Sequence, residues 1–320
     1  MKRRRFIISA ASVVPALSLF PPDLSGMERV QSEGKLEKRS LGKTGEKLSM
    51  IGFGGIVVMN ATPEEASAAV KHAIDNGVNY FDVAPSYGDA EIKLGPALEP
   101  YRKDVFLACK TGMRTRAESR KELEQSLRNL RTDHFDLYQH HAVTTLEEVD
   151  TILGPGGANE TFIEAKAEGK IRFIGFSAHS VEAAMALMDK FDFDTILFPF
   201  NYVTWNAGNF GPQVLERAKE KKMGILALKA MARGPWQEGA DRSGYPKCWY
   251  EPLTSVEDIT MGLRFTLSHP ITAAIPPGEE KLFRQALSVS GNLKPLRKSE
   301  IRSIKEKALK GIPLFKYDGA

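Results

Sequence analysis

Eight short runs of apolar and β-branched residues alternate along the chain with longer segments whose apolar residues recur every three or four positions. The runs lie at residues 50–55, 78–83, 105–110, 135–141, 171–177, 195–200, 224–230 and 271–276. This alternation predicts buried parallel strands separated by helices. Eight strands close into a barrel of a size that side chains can fill. We therefore predict an α/β fold, a single (β/α)8 TIM barrel over residues 36–315.

The helix predicted after the first strand has the clearest signals. Thr62 can cap it, Pro63 suits its first turn, and Glu65 completes a capping box. Residues 76–77, Asn-Gly, are typical of a helix end. The other segments with helical period begin near residues 118, 159, 180, 212, 255 and 279.

An open, doubly wound sheet is the alternative to the barrel. Such a sheet carries a glycine-rich nucleotide loop after its first strand, with the spacing G-x-G-x-x-G. The run IGFGGIVVMN (residues 51–60) is rich in glycine but lacks this spacing, and no helix start follows it before Thr62. The strand count and the missing motif favour the barrel.

The first 30 residues have a character of their own. A basic start is followed by an apolar stretch over residues 6–20, which is too short and too interrupted to predict a membrane-spanning helix. The sequence RRRFI (residues 3–7) resembles a twin-arginine export signal. We predict that residues 1–30 direct export of the folded protein to the periplasm. A disordered basic tail or a membrane-surface anchor on a cytoplasmic protein is the alternative.

Charge and cysteine content exclude several other functions. The formal net charge of the 320-residue chain is +4, and residues 2–5 alone supply four positive charges. The remainder is nearly neutral, so we expect no nucleic acid partner, and export machinery only as a transient partner. The chain has two cysteines, Cys109 and Cys248, which cannot form a disulfide framework or a cysteine-based metal site.

Polar residues at the predicted strand ends suggest acid–base chemistry. Asp82 lies in an apolar run and Tyr87 in the turn after it, while Lys110 and the pair His140 and His141 end the next two runs. An ammonium beside a phenol lowers the phenol pKa, and a carboxylate holds the ammonium in place. The phenol can then protonate an oxygen while a carbonyl is reduced. Successive side chains of a strand alternate faces, so one histidine of the pair points into the barrel mouth.

The chain resembles the aldo-keto reductase superfamily over nearly all of its length, from about residue 36. The resemblance rests on six blocks that occur in order: LGKTGEKLSMIGFGG, YFDVAPSYGDAE, LACKTG, FDLYQHH, IRFIGFSAH and LSHPITAAIPPG. It implies a catalytic tetrad of Asp82, Tyr87, Lys110 and His141. The family's histidine lies five residues after the aspartate of the fourth block, here Asp136, which selects His141 over His140.

The resemblance also implies a nicotinamide cofactor, and the chain departs from the family pattern around it. The implied cofactor-binding positions are Ser177, Lys229, Gly278, Lys281 and Gln285. Ser177 is followed by Ala178 where the family often has asparagine, and His179 either replaces the lost amide or caps a helix. Lys281 matches a position for a 2′-phosphate, although Glu279 and Glu280 would repel one. We predict NADP(H), with NAD(H) as the alternative.

The segment ARGPWQEGADRSGYPKCWYEPLTS (residues 232–255) is rich in aromatic residues. It forms either a wall of the substrate pocket or a loop packed on its own aromatic side chains. Trp205 is a further candidate for the pocket.

Two functions fit this sequence. The first is an oxidoreductase that interconverts carbonyl and alcohol groups of aldehydes, ketones or sugars, with Tyr87 as general acid. The second is a nucleotide-binding regulatory or partner-binding protein on the same barrel, like the potassium-channel β-subunits. The four residues of the tetrad favour the enzyme, because a pure binding protein has no need of a tuned phenol.

Overall fold

The computed structural model describes residues 36–291 and 293–319. The predicted export signal in residues 1–30 lies outside this part of the chain. Within the described residues, no helix is both long enough and apolar enough to cross a membrane.

Eight parallel strands form one sheet around the molecule. In chain order they are β3 (Phe53–Gly54), β4 (Tyr80–Asp82), β5 (Phe106–Thr111), β6 (Phe135–Val143), β7 (Ile171–Ala178), β8 (Thr195–Pro199), β9 (Gly224–Leu228) and β12 (Ala273–Ala274), and each pairs with its neighbour in this series. Ile51 forms a parallel bridge with Ala274, and the Gly52 amide donates to the Ala274 carbonyl at 3.0 Å. These contacts join the last strand to the first, so the predicted barrel is confirmed, with one strand in each predicted run.

Two antiparallel pairs lie outside the barrel sheet. One pairs β1 (Lys38–Ser40) with β2 (Lys47–Ser49), and the other pairs β10 (Ala232–Gly234) with β11 (Glu251–Pro252). Leu41 and Leu48 of the first hairpin pack in the same buried cluster as Tyr80 and Phe106, which begin β4 and β5. The hairpin therefore closes the barrel at the amino ends of its strands.

Eleven α-helices occur in the described residues. They are α1 (Pro63–Asp75), α2 (Ala90–Leu98), α3 (Arg116–Asn129), α4 (Leu146–Leu153), α5 (Ala158–Ala167), α6 (Val181–Lys190), α7 (Tyr202–Ala207), α8 (Pro212–Glu220), α9 (Val256–Leu267), α10 (Glu280–Ser290) and α11 (Lys298–Ala308). Seven of them match the predicted helical segments. The periodicity did not predict α2, α4, α7 and α11.

Local sequence explains the start of α1 and tertiary packing explains α2. Thr62 and Glu65 form the predicted capping box, in which each side chain accepts a hydrogen bond from the other residue's amide. Helix α2 contains Gly95 and Pro96, which normally indicate a break. A Cβ at position 95 would lie 2.3 Å from the Asn129 carbonyl oxygen, so glycine allows α2 to pack closely on the end of α3. This contact outweighs the weak helix propensity.

Side chains two residues apart on each strand point to the same face, which separates the barrel interior from the helix layer. The interior cluster includes Tyr80, Ala108, Leu137, Leu197 and Leu226. Their neighbours in sequence pack outwards in the larger core between the barrel and the helices. The interior is apolar along its depth and becomes polar at the carboxyl ends of the strands, where the candidate site lies.

Candidate active site

A buried ion pair lies at the carboxyl ends of β4 and β5. The Lys110 ammonium donates to Oδ1 of Asp82, and also to the Val83 carbonyl at 3.2 Å. The two side chains are 1% and 2% exposed. Burial lowers the pKa of Lys110, but its partners, above all the charge and hydrogen bond of Asp82, more than reverse this effect, so the net pKa is raised. Lys110 is therefore a permanent positive charge at neutral pH.

Two further side chains hold Asp82, and the sequence analysis did not identify them. The Tyr80 hydroxyl and the Gln139 amide both donate to Oδ2 of Asp82, at 3.2 and 3.1 Å. Tyr80 precedes Asp82 by two residues, and Gln139 precedes His141 by two, so all of these positions face the barrel interior. This period of two in YFD and QHH was the available signal.

Tyr87 lies in the turn between β4 and α2, with its amide donating to the Ala84 carbonyl at 3.1 Å. The Lys110 ammonium is 5.3 Å from the centre of the Tyr87 ring. Burial raises the pKa of the Tyr87 phenol, and the positive charge of Lys110 lowers it by less. The effect of Lys110 has the predicted direction, but the expectation of a pKa below the ordinary value is wrong, because burial dominates. The phenol is therefore protonated at neutral pH.

His141 lies beside Tyr87, with 5.7 Å between the ring centres and an edge-to-face arrangement. Its Nδ1 is 3.3 Å from the Ser86 hydroxyl. Burial, with the nearby Lys110 charge as the next largest cause, lowers the pKa of His141 to about 3, so the ring is neutral. His140 points to the other face of β6, where it stacks on Phe162 with ring centres 4.0 Å apart.

An irregularity in β6 lies next to His141. The register with β7 shifts after His140, and Ala142 has a φ of +53°, a left-handed conformation that is strained for alanine. The Ala142 amide donates to the Ser177 hydroxyl at 2.7 Å. Ser177 is thus placed within hydrogen-bond reach of this bulge, and its buried hydroxyl stabilises the turn after His141.

The other predicted cofactor positions fall in two places. Lys229 directly follows β9, so it lies at the same end of the barrel as the tetrad. Lys281 and Gln285 lie one turn apart on α10, and the Lys281 ammonium donates to the Gly244 carbonyl at 2.6 Å. A Cβ at Gly278 would lie 2.2 Å from Cγ2 of Ile56, so glycine lets the loop before α10 lie against Ile56.

Two neighbouring cavities lie beside Lys281 and beside Tyr87. One, of about 510 Å³, is lined by residues 57–61 and by Lys247, Glu279 and Lys281 among others. The other, of about 320 Å³, is lined by residues that include Tyr87, Arg242 and Trp249. Both share Met59, Pro246 and Lys247 as walls. The cavities are therefore neighbours, one against the start of α10 and the other against Tyr87.

The aromatic segment 232–255 forms the outer wall of both cavities. The Lys247 amide donates to the Glu279 carboxylate at 2.6 Å, and its ammonium donates to the Val57 carbonyl at 2.8 Å. The Trp236 indole donates to the Cys248 carbonyl at 2.9 Å. The segment is thus both packed on itself and part of the pocket. Trp205 instead packs on His269, at 4.4 Å, and on Phe265.

The last described residues also reach the mouth. Phe315 stacks on His179, with ring centres 5.3 Å apart and planes 6° from parallel. The Tyr317 amide donates to the Gly208 carbonyl at 2.8 Å. Burial lowers the pKa of His179 to about 4, so this ring is neutral too. Ser180, not His179, caps α6. Residues 36–319, apart from residue 292, contain no group of three potential metal-ligating side chains.

A closed eight-stranded barrel with a phenol, an ammonium, a carboxylate and a histidine at its carboxyl mouth defines a barrel oxidoreductase. Residues 50–258 match the sequence model of the Aldo/keto reductase family. The chain belongs to this family of oxidoreductases, which use nicotinamide cofactors.

Individual relatives agree with this assignment. The chain is 25% identical over 303 residues to an uncharacterized oxidoreductase of Bacillus subtilis, YqkF, covering 84% of this chain and 95% of the relative. It is 28% identical over 230 residues to L-galactose dehydrogenase of Arabidopsis thaliana, covering 66% and 70%. The holo structure of the aldo-keto reductase AKR11C1 of Bacillus halodurans superposes with a TM-score of 0.68 at 22% identity, covering 88% and 98%, and shows the same fold.

The buried ion pair generates a prediction about stability. Asp82→Asn should lower the free energy of unfolding by about 3 kcal/mol, because it leaves the Lys110 charge buried without a partner. Lys110→Met should have a similar effect. The double variant should lose clearly less than the sum of the two, because neither charge then remains. Urea unfolding of the four proteins measures this coupling.

The control for this cycle is the exposed pair Lys71–Asp75, at 2.7 Å on α1. Asp75→Asn should leave the unfolding midpoint nearly unchanged, because water solvates both charges. Additive effects of Asp82→Asn and Lys110→Met would show that these two residues are not energetically coupled.

Proposed function

We propose that this protein interconverts carbonyl and alcohol groups with NADP(H), and that Tyr87 is the general acid. NAD(H) is the alternative cofactor, and the substrates are aldehydes, ketones or sugars. The observation that carries the proposal is the placement of a protonated phenol between Lys110 and His141, beside a cavity of about 320 Å³.

The four side chains divide the proton chemistry among them. When a cofactor is bound it supplies the hydride for the carbonyl carbon, and negative charge develops on the oxygen. Tyr87 donates its proton to that oxygen, and the Lys110 charge stabilises the phenolate left behind. Asp82 keeps Lys110 in position. Neutral His141 orients the oxygen in the tautomer that carries the proton on Nε2, which leaves Nδ1 facing the Ser86 hydroxyl.

The residues along the cavities fit a dinucleotide. Lys281 and Lys247 supply cationic donors at the α10 end, while Tyr87 lies at the other end. Glu280 also lines this end, and Arg284 partly neutralises it at 2.7 Å. A 2′-phosphate would pair with Lys281 after displacing the Gly244 carbonyl. The availability of the Lys281 ammonium for a 2′-phosphate supports NADP(H). The buried carboxylate of Glu279 nearby would repel that phosphate and favours NAD(H).

Relatives with named substrates support sugar substrates. One is the L-galactose dehydrogenase already described. Another is the 6-dehydroglucose reductase of Novosphingobium aromaticivorans, 31% identical over 169 residues, which cover 47% of this chain and 54% of that protein. Both names describe the interconversion of a hydroxyl and a carbonyl on a sugar, which is the chemistry proposed for Tyr87.

We also propose that residues 1–30 export the folded protein through the twin-arginine pathway to the periplasm. The support is the RRRFI sequence followed by a short apolar stretch. Export in the folded state is compatible with a barrel that closes only when its last strand pairs with its first.

Tyr87→Phe should reduce turnover by at least about 100-fold, because the general acid is lost. Dinucleotide affinity should change little. The assay follows nicotinamide absorbance with a panel of aldehydes and sugars, run separately with NADPH and NADH to settle the cofactor. Tyr101→Phe, in the turn Glu99–Asp104 outside both cavities, is the matched control. Tight dinucleotide binding by the parent protein without any turnover would support the regulatory alternative instead.

Replacing Arg3 and Arg4 with lysine should retain the protein in the cytoplasm of a host with twin-arginine export, because the pathway reads the arginine pair. Cell fractionation and immunoblotting measure the distribution. Lys2→Arg is the control and should leave export intact. An unchanged periplasmic fraction in the double variant would contradict twin-arginine export. A parent protein found in the cytoplasm would support the alternative, in which residues 1–30 are a basic tail.

A further inference from the structure

Lys229 has an unusual backbone and an unusual environment. Its φ is +65°, a left-handed conformation that is uncommon for a residue with a side chain. The Ala232 amide donates to the Lys229 carbonyl at 2.8 Å and fixes this turn after β9. Strained conformations of this kind concentrate at functional sites. The strained backbone therefore marks Lys229 as a candidate functional residue.

The ammonium of Lys229 lies against two aromatic rings. It is 5.3 Å from the centre of the Trp249 ring and 5.2 Å from that of Tyr250. Among the residues that the structure describes, its ammonium forms no ion pair and no hydrogen bond within the protein. Aromatic faces stabilise a cation but satisfy none of its three N–H donors. The side chain is therefore ready to bind an anion.

The position of Lys229 assigns that anion to the reacting end of the site. Lys229 directly follows β9, so it lies at the same carboxyl end of the barrel as the tetrad, and its ammonium contacts Trp249, which lines the cavity beside Tyr87. The tetrad and Lys229 therefore share one mouth. Lys281 lies at the cofactor end and Lys247 lines both cavities, and the ammonium groups of both are already held by backbone carbonyls.

The cavity next to Tyr87 has a positive lining. Arg242 and Lys247 line it, together with Trp249, which contacts Lys229. The Arg242 guanidinium lies 5.7 Å from the Trp236 ring centre. None of the described residues that line this cavity is an aspartate or a glutamate. This positive lining would not attract a neutral aldehyde, but it would attract a substrate that carries a carboxylate.

We propose that Lys229 binds a carboxylate carried by the carbonyl substrate, so that the preferred substrates are oxo acids or sugar acids. This inference rests on the proposed function, because it names the substrate class of the same site. The carboxylate accepts charge-assisted hydrogen bonds from the ammonium, and the stem of Lys229 stays packed on Trp249 and Tyr250. The carbonyl end of the same molecule then faces Tyr87.

Titration of Lys229 gives the proposal a pH signature. Burial is the main cause that lowers the pKa of Lys229 to about 8, with smaller opposing effects from Cys248, which raises it, and from the Lys110 charge, which lowers it. The ammonium is charged below pH 8 and loses its proton above that value. Among the other groups near it, His141 and His179 are neutral between pH 6 and 9, with pKa values of about 3 and 4, and burial raises the pKa of Cys248 to about 12 and also raises that of Tyr250. Lys247 lines the neighbouring cavity, and burial lowers its pKa as well, so a variant must distinguish the two lysines. Lys110 stays charged and Tyr87 stays protonated, because both pKa values are raised.

The test compares two aldehydes that differ in one charge, 4-carboxybenzaldehyde and its neutral methyl ester. Lys229→Met keeps the apolar stem and removes the charge. It should raise KM for the carboxylate by about tenfold or more, the value of one charge-assisted hydrogen bond, with KM for the ester and kcat for both little changed. Lys229→Arg should restore most of the loss. The parent's kcat/KM for the carboxylate should fall above about pH 8, and this inflection should vanish in Lys229→Met, which separates Lys229 from Lys247.

The control variant is Lys222→Met, because Lys222 has the same left-handed backbone, with a φ of +55°, at the amino end of β9. It should behave as the parent protein with both aldehydes. An equal rise in KM for the two aldehydes in Lys229→Met would overturn the proposal. A weaker dinucleotide affinity without discrimination between the aldehydes would also overturn it, because Lys229 would then serve the cofactor's phosphates.

A binding measurement separates this inference from the proposed function. Titration of 4-carboxybenzaldehyde into the Tyr87→Phe protein, followed by tryptophan fluorescence, needs no turnover. Binding that weakens about tenfold when Lys229→Met is added sustains the carboxylate site, even if the parent protein reduces neither aldehyde. Binding that is independent of Lys229 overturns the site, even if the parent protein is an active reductase.

Discussion

A carboxylate and an ammonium hidden from water determine how the mouth of this barrel is built. Asp82 can lie inside an apolar sheet because Lys110 supplies a charge and two further side chains supply hydrogen bonds. These partners come from β4, β5 and β6, so the charge is compensated only when the three strands are in register. The same register sets the distance between Lys110 and Tyr87. Strand pairing and acid–base geometry are therefore one constraint.

Most of the barrel could be predicted because its sequence signals are local. Each predicted apolar run contains a strand, and the capping box of α1 has the expected partners. Helix α2 was missed because Gly95 and Pro96 are poor helix formers, and only the close contact with α3 explains their place in it. The two short pairs β1–β2 and β10–β11 also differ in the sequence distance between their strands. The strands of the first pair are joined by the short turn at residues 41–46, whereas the second depends on a long loop returning to its own start.

The sequence predicted which four side chains lie together at the mouth, but not their electrostatics. The order of blocks along the chain identified the four tetrad positions, and the fold brings them to one mouth. The sign of the Tyr87 pKa shift could not be read from the sequence, because it depends on how deeply the phenol is enclosed. The partner of Ser177 depends on a bulge in β6 that no residue type announces, since the strained position is an alanine. Burial and register, rather than residue identity, decide these properties.

The stacking of Phe315 on His179 has a practical consequence for handling the protein. The chain reaches this contact after the last helix, and the Tyr317 amide then anchors it to the Gly208 carbonyl. A polypeptide fused after residue 319 would therefore begin beside the carboxyl mouth of the barrel. An affinity tag or a fluorescent fusion placed there would obstruct the entrance to that mouth. Insertion in an exposed turn at the opposite end of the barrel, such as residues 42–45 between β1 and β2, would leave that entrance clear.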